Sequence, residues 1–230
     1  PGDFVDYPTA STILGAAKLT GRLPSGTSIG AMAAVTDTEK ARTFSLSTLS
    51  ETKRLVAPRT VYGVSRVQQE FGKSQSTVSA MATFVHRSMD AADPIAQLLS
   101  RTSLSLGSDA TVRFQGGQYE WTSLEVATFL QGEPAAIARA QRNSAHYSQR
   151  PDRTYHLYDP TLTSWSGWWT INTFARTGGR HWIWSVTNQN QSPGLEHNDI
   201  GRLSSADGMQ LDGDIRYRET TPGRFLRSYW

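Results

Sequence analysis

The sequence predicts an all-β fold: an antiparallel up-and-down meander with one short helix in a long loop. Three observations predict it. Apolar and polar residues alternate with period two in about ten segments. Short turns and long links join those segments in strict alternation. The apolar content is also low for a domain that buries both sides of its sheet. Hydrophobic residues make up 37% of the 230 and mean hydropathy is −0.45, whereas a soluble core of this size draws on more Leu, Ile and Val to offset chain entropy.

The first segment, residues 12–23, groups Ile13, Gly15, Ala17, Leu19 and Leu23 against Leu14, Ala16, Lys18, Thr20 and Arg22. The second, 27–37, groups Ile29, Ala31, Ala33 and Val35. Six more follow at 60–71, 76–87, 102–115, 119–130, 162–175 and 181–188. The ninth, 209–218, alternates most cleanly, with Met209, Leu211, Gly213, Ile215 and Tyr217 opposite Gln210, Asp212, Asp214, Arg216 and Arg218. A tenth is expected at 224–230. Residues 24–26, 72–75, 115–118, 177–179 and 221–223 carry Gly or Pro and suit tight hairpins. The long links are 38–59, 88–101, 131–161 and 189–208. Within the third, Pro134 at the first turn and an Ala-rich run to Arg142 predict the helix.

Outer-membrane β-barrels alternate turns and loops in this way, because periplasmic turns are tight while extracellular loops are free to grow. In hydrocarbon every backbone N–H and C=O must pair within the protein, so a sheet crosses a membrane only if it closes. The alternation therefore predicts a single domain over 1–230 that forms part of a transmembrane barrel in the bacterial outer membrane. Ile13, Leu19, Ile29, Val35, Trp165, Trp169, Leu211 and Ile215 are expected to face lipid. Lys18, Arg22, Arg66, Glu70, Glu125, Asp212, Asp214, Arg216 and Arg218 are expected to face the lumen, where opposite charges pair across strands. The abrupt start at Pro1, and a last segment whose steps of two from Trp230 are not apolar, lead us to expect a fragment of a larger barrel.

Several function classes find no support. The net charge of +3 comes from scattered basic residues, so nucleic acid is not an expected partner. There is no cysteine, hence no disulfide or thiolate metal site. The longest apolar run, 29–35, is far below the roughly 20 residues of a membrane helix. His86, His146, His156, His181 and His197 show no metal-ligand spacing, and no Gly-x-Ser-x-Gly elbow occurs. No metal or cofactor, and no catalytic constellation, is expected. Glycoside hydrolysis needs two carboxylates flanking one bond, and Glu196 and Asp199 occur together in the fourth link, although such acids more often order a loop by capping backbone N–H groups. Trp165, Trp168, Trp169, Trp182 and Trp184 suit an interfacial girdle or, alternatively, a sugar-stacking platform.

Ligand-binding candidates concentrate in two long links. Arg139, Gln141, Arg142, His146, Tyr147, Gln149, Arg150 and Asp152 crowd the third, and Glu196, Asn198 and Asp199 lie in the fourth. Arg forks there suit a polyanion or the phosphates of lipopolysaccharide. The alternative is a loop folded back into the lumen and held by those same side chains.

Residues 10–21, 141–145, 147–152, 178–182 and 192–201 together resemble an uncharacterised barrel domain of bacterial envelope proteins. That domain follows a family-9-like carbohydrate-binding module. At His197 the chain departs from the apolar residue expected of the family. The resemblance implies an outer-membrane location, lipid and lipopolysaccharide as surroundings, and glycan association or uptake through the neighbouring module. This segment would then be anchor or pore. It implies no catalytic residue. A soluble all-β carbohydrate-binding module, or a glycan hydrolase using Glu196 and Asp199, is the competing reading.

Overall fold

The computed structural model describes residues 3–197, 203–225 and 227–228. The strands in chain order are β1 (Phe4–Asp6), β2 (Ile13–Arg22), β3 (Thr27–Thr36), β4 (Glu39–Ser45), β5 (Ser50–Ala57), β6 (Arg59–Phe71), β7 (Ser76–Ser88), β8 (Thr102–Phe114), β9 (Tyr119–Gln131), β10 (Ser164–Arg176), β11 (Trp182–Gln191) and β12 (Gly208–Tyr217). A single α-helix among the described residues, α1 (Pro134–Arg142), lies between β9 and β10. Nine strands form one antiparallel sheet in the order β12-β11-β10-β9-β8-β7-β6-β3-β2, and β1, β4 and β5 form a second sheet.

The large sheet is a meander interrupted once. Between β3 and β6 the chain leaves to build the β4–β5 hairpin, whose β4 pairs with β1. The link expected at 38–59 is therefore largely strand. Its two arms are short and mostly polar, so each reads as loop until β1 supplies a partner.

In the nine-stranded sheet every tight turn lies at one end and every long link at the other. This follows from antiparallel neighbours joined in sequence. The turns use the backbone freedom their residues supply. Gly116 (φ 68) and Gly117 (φ 89) turn the chain between β8 and β9, and Gly72 (φ 72) does so between β6 and β7.

The cross-strand register sorts side chains onto two faces. One face carries Leu19, Ile29, Val67, Val78, Leu106, Phe129, Trp168, Val186, Leu211 and Ile215, all large, hydrophobic and exposed. Leu211 and Ile215 are 72% and 70% exposed. The other face carries Lys18, Arg22, Arg66, Glu70, Asp109, Arg113, Glu120, Asp212, Asp214 and Arg216. Charges pair across it, with Arg22–Glu70 at 2.8 Å, Arg113–Glu120 at 2.8 Å and Arg66–Asp109 at 2.8 Å. The last spans β6 to β8 over Ser79, whose hydroxyl donates to Asp109 at 2.6 Å.

Four further expectations fail. Trp165 and Trp169 lie on the polar face. Trp165 is 4% exposed and packs with Leu130 and Ile137 of α1, while Trp169 adjoins Ala145, Leu195 and Leu203. The outward residue of this run is Trp168, because adjacent tryptophans take opposite faces. Glu125 lies on the apolar face, since β9 alternates weakly and carries polar residues on both sides. A register shift between Ile13 and Gly15 puts Ile13 opposite Thr36, on the polar side. At the expected tenth strand, the described residues 224, 225, 227 and 228 are bend or coil, and Trp230 lies outside the described residues.

Hydrophobic burial is confined to the link end. Three small clusters form there: Met89, Ile95 and Ala96; Leu130, Ile137 and Trp165; and Ala145, Leu195 and Leu203. Links lying on the polar face cover the second and third.

Candidate functional site: the loop plug on the polar face

The third and fourth long links meet over β9 and β10, and glycines set the closeness of that meeting. Gly167 of β10 lies directly beneath residues 194–195. A Cβ there would stand 2.1 Å from the Leu195 nitrogen and 2.2 Å from the Gly194 carbonyl carbon. Reciprocally, a Cβ on Gly194 would stand 2.0 Å from the Ser166 oxygen. Two bare backbones thus touch, and Thr128 on β9, fully buried, accepts the Glu196 N–H at 3.2 Å.

His146 ties the two links together. Its Nδ1 lies 3.0 Å from the Pro193 carbonyl and its Nε2 lies 3.0 Å from Glu196 Oε2, with the imidazole fully buried. Both ring nitrogens face acceptors. The geometry therefore suits an imidazolium–carboxylate pair, or a neutral ring that accepts a proton carried by Glu196. Trp165 closes one side, its ring centroid 5.8 Å from that of His146 and 4.4 Å from that of His156. Partial burial pushes His156 below its ordinary pKa, and the charges of Arg153 and His146 act the same way.

A second buried node centres on Arg153, whose side chain has no exposure. It donates to the His146 carbonyl (3.1 Å), the Ser148 hydroxyl (3.2 Å) and Asp207 (2.8 Å). Tyr155 donates to the same Asp207 oxygen at 2.7 Å, which raises the phenol's pKa. Arg150 approaches Asp207 at 3.6 Å and Asp152 at 3.7 Å. Gln141, fully buried, donates to the Asp159 carbonyl (2.7 Å) and accepts the Asp159 N–H (2.8 Å), pinning the end of α1 to the rest of its link.

The sequence candidates therefore divide. Gln141, His146, Arg150 and Glu196 are brought together as internal fastenings. Arg139 and Glu196 line one cavity of about 180 Å³ with Asn143 and Ser100. Arg142 leans over Tyr158, 5.8 Å from the ring centre, while Tyr147, Gln149 and Asp152 are exposed. Asn198 and Asp199 lie outside the described residues. Sequence reading missed Arg153, Asp207, Thr128, Gly167 and Gly194. A glycine inside a strand, such as Gly167, is the one signal that marks close backbone approach. Nothing local pairs Arg153 with a carboxylate more than fifty positions away.

A second concavity of about 410 Å³ opens on the polar face between Trp169, Gln189, Gln191, Ser204, Ser205 and Gln210. No group of three or more metal-ligating side chains occurs among the described residues. No helix among them is long and apolar enough to cross a membrane.

A family model described as a domain of unknown function, DUF5916, matches residues 2–103, a stretch that takes in β1 to β7 and reaches the start of β8. No curated protein matches this chain, and no solved structure does.

Proposed function

We propose that the nine-stranded sheet is a wall of a transmembrane β-barrel in a bacterial outer membrane. In this reading it serves an envelope protein as anchor or pore, with the long links packed as a plug on the lumen side. One observation carries the reading: exposed large hydrophobic side chains concentrate on one face, against a few such as Met32 and Met81 on the other, and that other face carries the paired charges. Contiguous apolar surface on this scale is foreign to soluble monomers and is what hydrocarbon requires.

The aromatic distribution supports it. Phe71, Phe114, Tyr119, Trp121, Phe174, Trp182, Trp184 and Tyr217 sit towards the turn end of the apolar face. Phe84, Phe129 and Trp168 sit towards the link end. Tyr119 and Phe129 are ten residues apart on β9. That is about 33 Å along a strand and about 25 Å after a typical 40° tilt, the height of an outer-membrane apolar band. Lipid and lipopolysaccharide are the partners this reading supplies.

Fractionation tests it. Expressed at full length in a Gram-negative host with an export signal, the protein should sediment with outer membranes and resist carbonate extraction. Recovery as a monomer in detergent-free buffer overturns the reading in favour of a soluble all-β domain.

A second reading rests on the Trp169 concavity, where an indole and three Gln amides suit a sugar ring and its hydroxyls. It places glycan binding on the polar face, in addition to any neighbouring module. Oligosaccharide binding lost in Trp169→Ala would bear it out, and calorimetric silence across a panel of envelope glycans would refute it.

A further inference from the structure

Among the described residues, the apolar face has one charged side chain away from the strand ends, Glu125, and it falls at the middle of the strands. Glu125 is the midpoint of β9, and the register sets it beside Ser108 on β8 and Thr170 on β10. Ser123, Asn172, Asn188 and Asn190 extend the polar patch across β9 to β11 on the same face. The other charges on this face among the described residues, Arg59 and Arg176, stand at strand ends. Arg59 is engaged by Asp37 at 2.9 Å, and Arg176 by the Gly178 carbonyl at 3.2 Å.

Hydrogen-bond accounting tells what the patch lacks. Ser123 and Asn172 both donate to Glu125 Oε1, at 3.0 and 3.2 Å, and Trp121 donates to Asn172 at 3.2 Å. Asn190 donates to Asn188 at 2.6 Å and to Thr170 at 3.5 Å, and Asn188 donates to the Gln210 carbonyl at 3.5 Å. Each of the three Asn side chains already donates within the patch or to the neighbouring strand. Among the acceptors, Glu125 Oε2 and Asn190 Oδ1 take no hydrogen bond within the patch, and Glu125 carries its one formal charge. Beside them lies a shallow depression of about 440 Å³ bounded by Leu106, Ser108, Glu125, Ala127, Trp168 and Thr170. It offers a carboxylate on one wall and an indole on another, the pairing that suits a guanidinium or ammonium emerging from apolar surroundings.

We propose that this depression seats a Lys or Arg side chain carried on an apolar segment of a partner protein. Lipid does not satisfy it, because acyl chains donate no hydrogen bond. A second copy of the chain does not satisfy it either, because among the described residues no cation stands near the middle of its own apolar face.

The test uses a fluorescently labelled Leu/Ala-rich peptide with one central Arg, and its counterpart with Gln. Both are titrated against the protein in whichever medium keeps it monomeric, buffer or micelles. A failure of the membrane reading therefore shows in fractionation and leaves this measurement intact. The Arg peptide should bind about tenfold more tightly than the Gln peptide, and Glu125→Gln should abolish the difference. Should Glu125→Gln fail to fold by circular dichroism, Trp168→Leu carries the test by weakening the Arg peptide alone. Equal binding of the two peptides, or a preference that survives both variants, overturns the proposal. Self-association that Glu125→Gln abolishes also overturns it, in favour of a second copy.

Discussion

The contact between Gly167 and the fourth link yields the sharpest stability test. In Gly167→Ala the new methyl stands 2.1 to 2.5 Å from the Leu195 nitrogen and the Gly194 carbonyl group, where ordinary van der Waals contact begins near 3.4 Å. The neighbouring atoms are backbone, so no side chain can rotate away. Residues 194–195 must lift by about 1 Å or more, an overpacking cost of about 1–3 kcal/mol. The lift also disturbs the Thr128 bond to the Glu196 N–H and the His146 bonds to Pro193 and Glu196, each contributing about 1 kcal/mol. The expected total is about 2–4 kcal/mol, because these bonds weaken rather than vanish. Gly107→Ala is the matched control: it is also a strand glycine on the polar face, and its Cβ would meet the Glu125 oxygen at 3.6 Å. Replacing a strand-interior glycine without a clash is neutral or stabilising by about 0.5–1 kcal/mol. Denaturant unfolding of both variants, with limited proteolysis of residues 192–207, reads the difference. Two variants within about 0.5 kcal/mol of each other would refute the contact.

Three further outcomes are expected. His146→Ala removes the imidazole from a buried carboxylate and should cost about 2–4 kcal/mol, opening the fourth link to protease; unchanged cleavage rates would count against the fastening role. The Arg66 guanidinium pairs with the Asp109 carboxylate at 2.8 Å, and the Ser79 hydroxyl donates to it at 2.6 Å. The pair is about a third exposed, so Asp109→Asn should cost only about 0.5–1 kcal/mol, a difference that denaturant unfolding of the variant against the parent protein checks. Finally, Ile215→Arg on the apolar face should impair folding into bilayers by about 2–4 kcal/mol, and Gln210→Arg on the polar face by little; equal tolerance would contradict the sorting of faces.

The sheet was legible in the sequence because each of its signals is local. Period-two alternation and glycine-bearing turns located all nine strands of the large sheet to within two residues at most ends, and the helix at Pro134–Arg142. The small sheet was not legible, because β1 contributes three residues and pairs with β4 some forty positions on. Facing was legible where polarity alternates strongly, as in β12. It misled at β10, where Trp168 and Trp169 are adjacent and the inward ring is covered by a link that the strand pattern does not encode. The plug was legible in composition alone. Residues rich in hydrogen-bonding groups marked the third link, but partners such as Arg153 with Asp207 are fixed by chain reversal over long separations.

The odd number of strands in the large sheet has a directional consequence. β2 and β12, its two edges, both run from the link end to the turn end. Were the sheet to curl until these edges met, they would meet parallel, with slanted and evenly spaced hydrogen bonds unlike those of the eight antiparallel pairings between them. A seam that keeps the antiparallel pattern takes an odd number of further strands, the first of them descending from the turn end beside β12. Among the described residues, both borders are strand edges with no further strand beside them, a ladder of backbone N–H and C=O groups open to an extended chain.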